Sequence, residues 1–188
     1  MPPKVKITKE NIIQTALDLI RSEGDGALNA RSIASALGCS TQPVFSNFAT
    51  MEELQLSVVE AAHDLYLGFL QGEVEEGKYP PYKAFGMAYI RFAKEEKELF
   101  KLLFMCDREN KKLVSNVDFG ASVEMIMNAC GISRERAELM HMEMWTCVHG
   151  IGTMLATSFF DLGWELISNM LSDTYYGLRA RHLSEEGL

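Results

Sequence analysis

The chain has 188 residues, 47% hydrophobic and 23% charged, with a mean hydropathy of -0.03. That balance excludes a disordered, collagen-like or disulfide-stapled protein. The formal net charge of -8 argues against a polyanionic partner only if it is evenly spread, and it is not. Residues 1–50 carry five basic side chains (Lys4, Lys6, Lys9, Arg21, Arg31) against four acidic ones (Glu10, Asp18, Glu23, Asp25), a net of +1. The other 138 residues carry 13 basic and 22 acidic, a net of -9. A small near-neutral N-terminal module joined to a larger acidic one is expected, with the border at residues 52/53. No stretch nears ~18 consecutive apolar residues, so no membrane span is expected. The start, Met1-Pro2-Pro3-Lys4-Val5-Lys6, lacks the apolar core of a secretory signal, and the cytoplasm is the expected compartment. Cys39, Cys106, Cys130 and Cys147 lie far apart among apolar neighbours, a pattern of free buried thiols.

Hydrophobic periodicity is helical nearly throughout, which predicts an all-α fold. Ile12, Ile13, Ala16, Leu17, Leu19 and Ile20 fall on one face of a first helix capped by Thr8 and stopped by Gly24-Asp25-Gly26. A second, short helix starts behind Asn29 and ends at Gly38. Ser40 then caps a third short helix through Phe48. Two short helices joined by a glycine-containing turn form a helix-turn-helix. Thr50 and Glu53 make a capping box that opens a longer fourth helix, predicted to reach Gln71 before a loop over 72–81. Further helices are predicted over 82–94, 96–105, 112–129, 133–160 and 164–181.

A recognition helix buries one face and offers short polar side chains on the other. In the third helix Val44 and Phe48 supply the buried face, leaving Thr41, Gln42, Pro43, Ser46 and Asn47 for solvent or DNA. Gln42 can pair bidentately with adenine, Thr41 and Pro43 can meet a thymine methyl, and Ser46 and Asn47 can bond phosphate or base edges. Arg31 is the long cation near this surface, and Lys4, Lys6 and Lys9 form an arm able to follow the backbone. These polar residues also fit a merely solvated short helix.

Residues 8–56, with Ala16, Arg31-Ser32-Ile33-Ala34, Leu37-Gly38-Cys39-Ser40, Val44-Phe45-Ser46-Asn47-Phe48 and Glu52-Glu53-Leu54, resemble the DNA-binding domain of the TetR family of transcriptional regulators. The resemblance implies a homodimeric, all-helical regulator, usually a ligand-released repressor. It places Thr41, Gln42 and Ser46 on base-contacting positions and Arg31 on that of a DNA-contacting arginine. Phe45 and Asn47 fall on the family's usual phosphate-holding tyrosine and histidine, and Met51 on a usual lysine. Each departure removes a phosphate hydrogen bond or charge, though the N-terminus of the fourth helix still offers N–H groups.

In the acidic part, core, dimer interface and ligand cavity compete for the apolar surface. The last two long helices, with Gly150, Gly152 and Ala156 on one and Ile167, Leu171 and Tyr175 on the other, could meet their copies as a four-helix interface. Trp145-x-x-x-His149-Gly150 resembles a TetR subgroup named for that tryptophan, histidine and glycine; there Gly150 would permit close helix approach. Tyr66, Phe69, Tyr89, Phe92, Phe104, Met125, Trp145 and His149 are the expected lining of a pocket for a small apolar effector, with Phe100 beside them. Each is equally a core residue by type. Glu124 and Glu143 could select a lipophilic cation or face water.

Enzyme signatures are missing: there is no nucleophile elbow, P-loop, G-x-G-x-x-G or H-E-x-x-H. No catalytic residue, cofactor or metal is expected, although His63, His141, Glu143 and Cys147 could in principle gather at an ion. The sequence therefore predicts a cytoplasmic homodimer that binds a double-stranded DNA operator and a small apolar effector, most simply a repressor. The alternative is a dimeric helical ligand-binding protein whose DNA affinity is weak or lost.

Overall fold

The computed structural model describes residues 7–105 and 119–185. Among the described residues the fold is all-α, with α1 Lys9–Glu23, a 3-10 turn Asp25–Ala27, α2 Ala30–Ala36, α3 Gln42–Asn47, α4 Met51–Glu76, α5 Pro81–Glu95, α6 Lys97–Phe104, α7 Gly120–Cys130, α8 Arg134–Ala156 and α9 Trp164–Glu185. Lys4, Lys6, Cys106 and the start of the helix predicted over 112–129 lie outside the described residues.

Local chemistry sets most of the starts. Thr8 accepts from the Asn11 N–H while the Asn11 side chain accepts from the Thr8 N–H, a reciprocal cap on α1. Asn29 accepts from the N–H groups of Arg31 and Ser32. Gly131 closes α7 in the left-handed region at φ 69°, and Ser133 opens α8 by accepting from the Arg136 N–H at 3.4 Å.

Several boundaries differ from the expectation; α9, for one, runs to Glu185 instead of ending at 181. α3 begins behind Thr41, not Ser40, and Thr41 makes no side-chain cap bond. α4 runs to Glu76, through the glycine and charges read as loop, because Gln71 bonds Glu75 and Arg91 pairs with the buried Glu73. Gly77, at φ 66°, then ends it. α8 stops at Ala156 because the backbone turns at Ser158, whose φ is 57°, leaving Phe159 and Phe160 in the connection.

Packing divides the chain into two compact units, residues 1–65 with 96–115 and residues 66–95 with 116–188. The first has a core of Ile12, Ala16, Ile20, Ile33, Val44, Phe48, Leu54, Leu99, Phe100 and Leu103. α6, placed by the sequence reading beyond the 52/53 border, packs on α1 in this unit. A two-pronged pair fastens it: Arg21 Nε and Nη2 donate to Glu96 Oε2 and Oε1 at 2.9 and 2.8 Å.

In the second unit α8 packs against α5, α7 and α9. Its core includes Ala84, Met87, Ile90, Phe92, Val123, Ile126, Met140, Met144, Ile151, Leu155, Ile167 and Leu171. The close helix approach expected at Gly150 occurs elsewhere. A methyl at Gly150 would meet nothing within 4 Å, whereas one at Gly86 would lie 3.3 Å from Val148 and 3.4 Å from Leu171. Gly86 therefore lets α5 press against α8 and α9. Cys39, Cys130 and Cys147 are free thiols but only half buried, contrary to the expectation of burial. No described helix is long and apolar enough to cross a membrane.

Candidate functional site

Val44 and Phe48 are fully buried, so α3 is held by one face and the other turns outward. Gln42 and Ser46 are exposed, Thr41 and Pro43 are half buried at its start, and Arg31 is exposed at the start of α2. Phe45 is also outward, with 51% of its surface in water. A large exposed ring on an otherwise polar face offers an apolar contact without a hydroxyl.

Two residues expected at this surface are engaged within the protein. Lys9 Nζ bonds Glu53 Oε1 at 3.1 Å and lies 4.8 Å from the centre of the Phe48 ring. Asn47 donates from Nδ2 to the carbonyls of Pro43, at 2.8 Å, and Ile7, at 3.4 Å. Ser46 Oγ donates back to the Gln42 carbonyl at 2.8 Å, yet its oxygen can still accept. At the start of α4, Glu53 Oε2 accepts from the Ala49 N–H at 2.6 Å and Thr50 Oγ1 accepts from the Glu53 N–H at 3.1 Å. The Ala49 bond, with that of Lys9, holds the Glu53 carboxyl below the usual carboxylate range, and the bond of Glu52 to its own backbone N–H does the same for Glu52. Part of the N–H set expected to await a phosphate is thus already satisfied.

In the second unit an unbroken run of ring contacts joins four helices and Phe119, the residue before α7. Phe69 meets Phe92 edge-on at 5.3 Å, Phe92 meets Tyr66 at 5.4 Å, and Tyr66 meets Tyr89 at 5.9 Å. Tyr89 Oη bonds His149 Nδ1 at 2.8 Å, and the His149 ring stacks on Trp145 at 4.7 Å. Phe119 touches both Trp145, at 6.0 Å, and His141, at 4.6 Å. Tyr82 Oη bonds His141 Nδ1 at 2.9 Å, and its ring lies 5.9 Å from Tyr175. Burial pushes the Tyr66 and Tyr82 phenols well above the ordinary tyrosine value and the His141 imidazole below its own. Tyr175, against Cys130, is pushed up to about 12, mainly by burial.

Six of the eight expected ligand residues, Tyr66, Phe69, Tyr89, Phe92, Trp145 and His149, fall in this run. The Phe104 ring packs on Phe100 at 5.3 Å in the first unit. Met125 is half buried on α7. Sequence reasoning passed over Tyr82, Phe119 and His141 as ligand residues. The available signal was the spacing of His141, Trp145 and His149 at four-residue steps on α8, matched by Tyr82 and Tyr89 seven apart on α5.

The side chains that might have gathered at a metal have separate partners. His141 bonds Tyr82, Cys147 lies 3.7 Å from Thr174 Oγ1, and Glu143 takes Arg181 and His182 at 2.9 and 2.8 Å. His63 is an exposed residue of the other unit. Among the described residues no group of three or more such side chains could hold an ion. Glu143 is thereby committed, and Glu124 is exposed 3.9 Å from Arg134.

Residues 82–170 match the family model described as "Tetracyclin repressor-like, C-terminal domain". No curated protein matches the chain. Among solved structures, a TetR-like transcriptional regulator from Rhodococcus sp. RHA1 is similar over 98% of both chains, with a TM-score of 0.66 and 13% identity. A TetR family protein from Vibrio parahaemolyticus is similar over 90% of this chain and 97% of its own, with a TM-score of 0.60 and 13% identity. A TetR variant from Acinetobacter baumannii AYE, solved with minocycline, is similar over 96% of this chain and 97% of its own, at a TM-score of 0.50 and 16% identity. The matched domain carries no support for the narrower subgroup suggested by Trp145, His149 and Gly150. Residues 82–170 thus carry a tetracycline repressor-like C-terminal domain, and the chain shares an all-helical fold along nearly its whole length with TetR-like regulators.

Proposed function

We propose that the protein is a homodimeric transcriptional repressor that binds a palindromic DNA operator through α3 and is released by a small apolar ligand. The observation that carries the reading is the two-faced α3: Val44 and Phe48 buried, Gln42, Phe45 and Ser46 outward. Side chains of this kind at the start of a short helix suit base edges in the major groove. A dimer would set two such helices about one DNA turn, ~34–36 Å, apart. Support for a dimer comes from α8 and α9, where Leu139, Met142, Leu166, Tyr176 and Leu183 are exposed. The aromatic run supplies the wall for the ligand, and a molecule that displaces Tyr66 or Phe69 acts on α4, the helix that follows α3. Coupling of about 1–3 kcal/mol would weaken operator binding about 5- to 150-fold. Ligand binding by a neighbour in fold, the Acinetobacter protein with minocycline, agrees with this reading. No enzymatic step and no cofactor is part of it, and a cytoplasmic site of action follows from the DNA partner.

A second reading, a dimeric ligand-binding protein with weak DNA affinity, is favoured by one set of contacts. Lys9, Asn47 and the start of α4 are bonded internally, so few groups remain to neutralise phosphates. One experiment separates the two: selection from random DNA duplexes at two salt concentrations, followed by sequencing. An enriched palindrome that Gln42→Ala no longer retains supports the repressor; no enrichment at either salt supports the second reading.

A further inference from the structure

One buried polar atom in the aromatic run is without a partner. His141 is 8% exposed, and its Nε2 has no hydrogen bond. Its protonation state follows from counting bonds. The Tyr82 hydroxyl must donate somewhere, and its described partner is His141 Nδ1, 2.9 Å away. If the phenol donates to Nδ1, the imidazole carries its hydrogen on Nε2 and one donor is left over. If instead Nδ1–H donated to the phenol oxygen, the phenol hydrogen and Nε2 would both be left over. The first arrangement strands one group instead of two, so Nε2 is a buried N–H donor lacking an acceptor. What stands beside it is Phe119, its ring 4.6 Å from the imidazole at 61°, and a π face is a weak substitute for a lone pair.

We propose that His141 Nε2–H is the polar anchor of the ligand site, donating to a neutral oxygen acceptor on a flat aromatic ligand that lies against Phe119 and Trp145. This deepens the proposed ligand-released regulator and rests on that reading of the aromatic run. Three observations select the ligand class. The surroundings are rings, Phe119 and Trp145 being in contact at 6.0 Å, which suits a planar apolar body. The anchor offers a single donor, which suits one ketone, ester or quinone-type oxygen. Among the described residues, the ring and hydrogen-bond contacts of Tyr82, Phe119, Trp145 and His141 are with other aromatic and imidazole rings, surroundings that suit a neutral ligand. Burial holding the imidazole neutral agrees with a neutral acceptor.

The test uses the full chain and a pair of probes of one shape, acetylnaphthalene and isopropenylnaphthalene, in which a carbonyl oxygen replaces a methylene. Affinity is read from tryptophan quenching and the hydrogen bond from the infrared carbonyl stretch of the bound ketone. The ketone is expected to bind about tenfold more tightly than the alkene, with its stretch moved to lower frequency. In the variant carrying both Tyr82→Phe and His141→Phe, which removes both ends of the bond and strands neither, the ratio falls to about one and the shift disappears. Equal binding of the two probes to the native protein, or a preference that survives in the variant, overturns the His141 anchor and leaves the ligand reading standing. Failure of both probes to bind overturns the anchor and the aromatic ligand wall together. If the variant does not fold, the native ratio and the carbonyl shift decide.

Discussion

The Trp145 indole lies almost parallel to the His149 imidazole, 4.7 Å apart at 10°, and His149 in turn holds the Tyr89 hydroxyl at 2.8 Å. The contact joins two residues one turn apart on α8 to the middle of α5, so it reinforces the main packing of the second unit. Tyr89→Phe is expected to lower stability by about 1 kcal/mol through the lost bond, and Trp145→Ala by about 2–3 kcal/mol through the lost ring. Urea unfolding with an unchanged slope checks both.

The buried His141 makes stability depend on acid. Its imidazole is held below the ordinary histidine value near 6.5 because burial disfavours the charged form. Between that value and the lower native one, the unfolded chain binds a proton that the native protein does not. Stability from this group is therefore complete above about pH 6.5 and falls as the pH drops toward the native pKa. Thermal melts from about pH 8 to 5 should show a steeper acid loss in the native protein than in the variant with Tyr82→Phe and His141→Phe.

Arg91 holds a carboxylate that has almost no other support. Its Nε donates to Glu73 Oε2 at 2.8 Å, Glu73 Oε1 is buried without a partner, and the guanidinium lies 4.8 Å from the Trp164 ring centre. Arg91→Ala strands that carboxylate and is expected to cost about 2–3 kcal/mol, below the figure for a fully buried pair because the arginine is 31% exposed. Adding Glu73→Gln should return most of the loss. A double-mutant cycle by urea unfolding that finds no coupling would rule the pair out as a fastening of α4.

Two glycines should respond in opposite senses. Alanine suits a helix interior better than glycine by up to about 1 kcal/mol. Gly150 faces open space, so Gly150→Ala should keep that gain. At Gly86 the new methyl would press on Val148 and Leu171, so Gly86→Ala should be less stable than Gly150→Ala by about 1 kcal/mol or more. Thermal melts at one protein concentration make the comparison.

If α3 docks in the major groove, restoring the family's phosphate contacts should tighten it. Met51→Lys adds a cation at the start of α4 and should steepen the log-log salt dependence of operator binding by about 0.9. Phe45→Tyr adds a hydroxyl on an exposed ring and should raise affinity with little change in slope. Lys9→Ala, removing a lysine already paired with Glu53, should change the slope less than Arg31→Ala, whose side chain is exposed on α2. Fluorescence anisotropy on the selected operator measures all four.

The sequence by itself determined the helices of the N-terminal module, their caps at Thr8 and Asn29, the buried pair Val44 and Phe48, and the resemblance to TetR regulators. Each depends on residues within a few positions of one another, and capping and helical periodicity are read over that range. Only tertiary structure decided that α4 continues to Glu76, because Arg91, eighteen residues on, fastens Glu73 in place. Tertiary packing also moved α6 to α1, put the close helix approach within the chain at Gly86 instead of Gly150, and gave Lys9 and Asn47 partners inside the protein. The Tyr82–His141 and Tyr89–His149 bonds join residues 59 and 60 positions apart. A spacing pattern on one helix can suggest such a pair. Whether a phenol reaches an imidazole is settled when two helices pack and the remaining polar groups divide the few partners within reach.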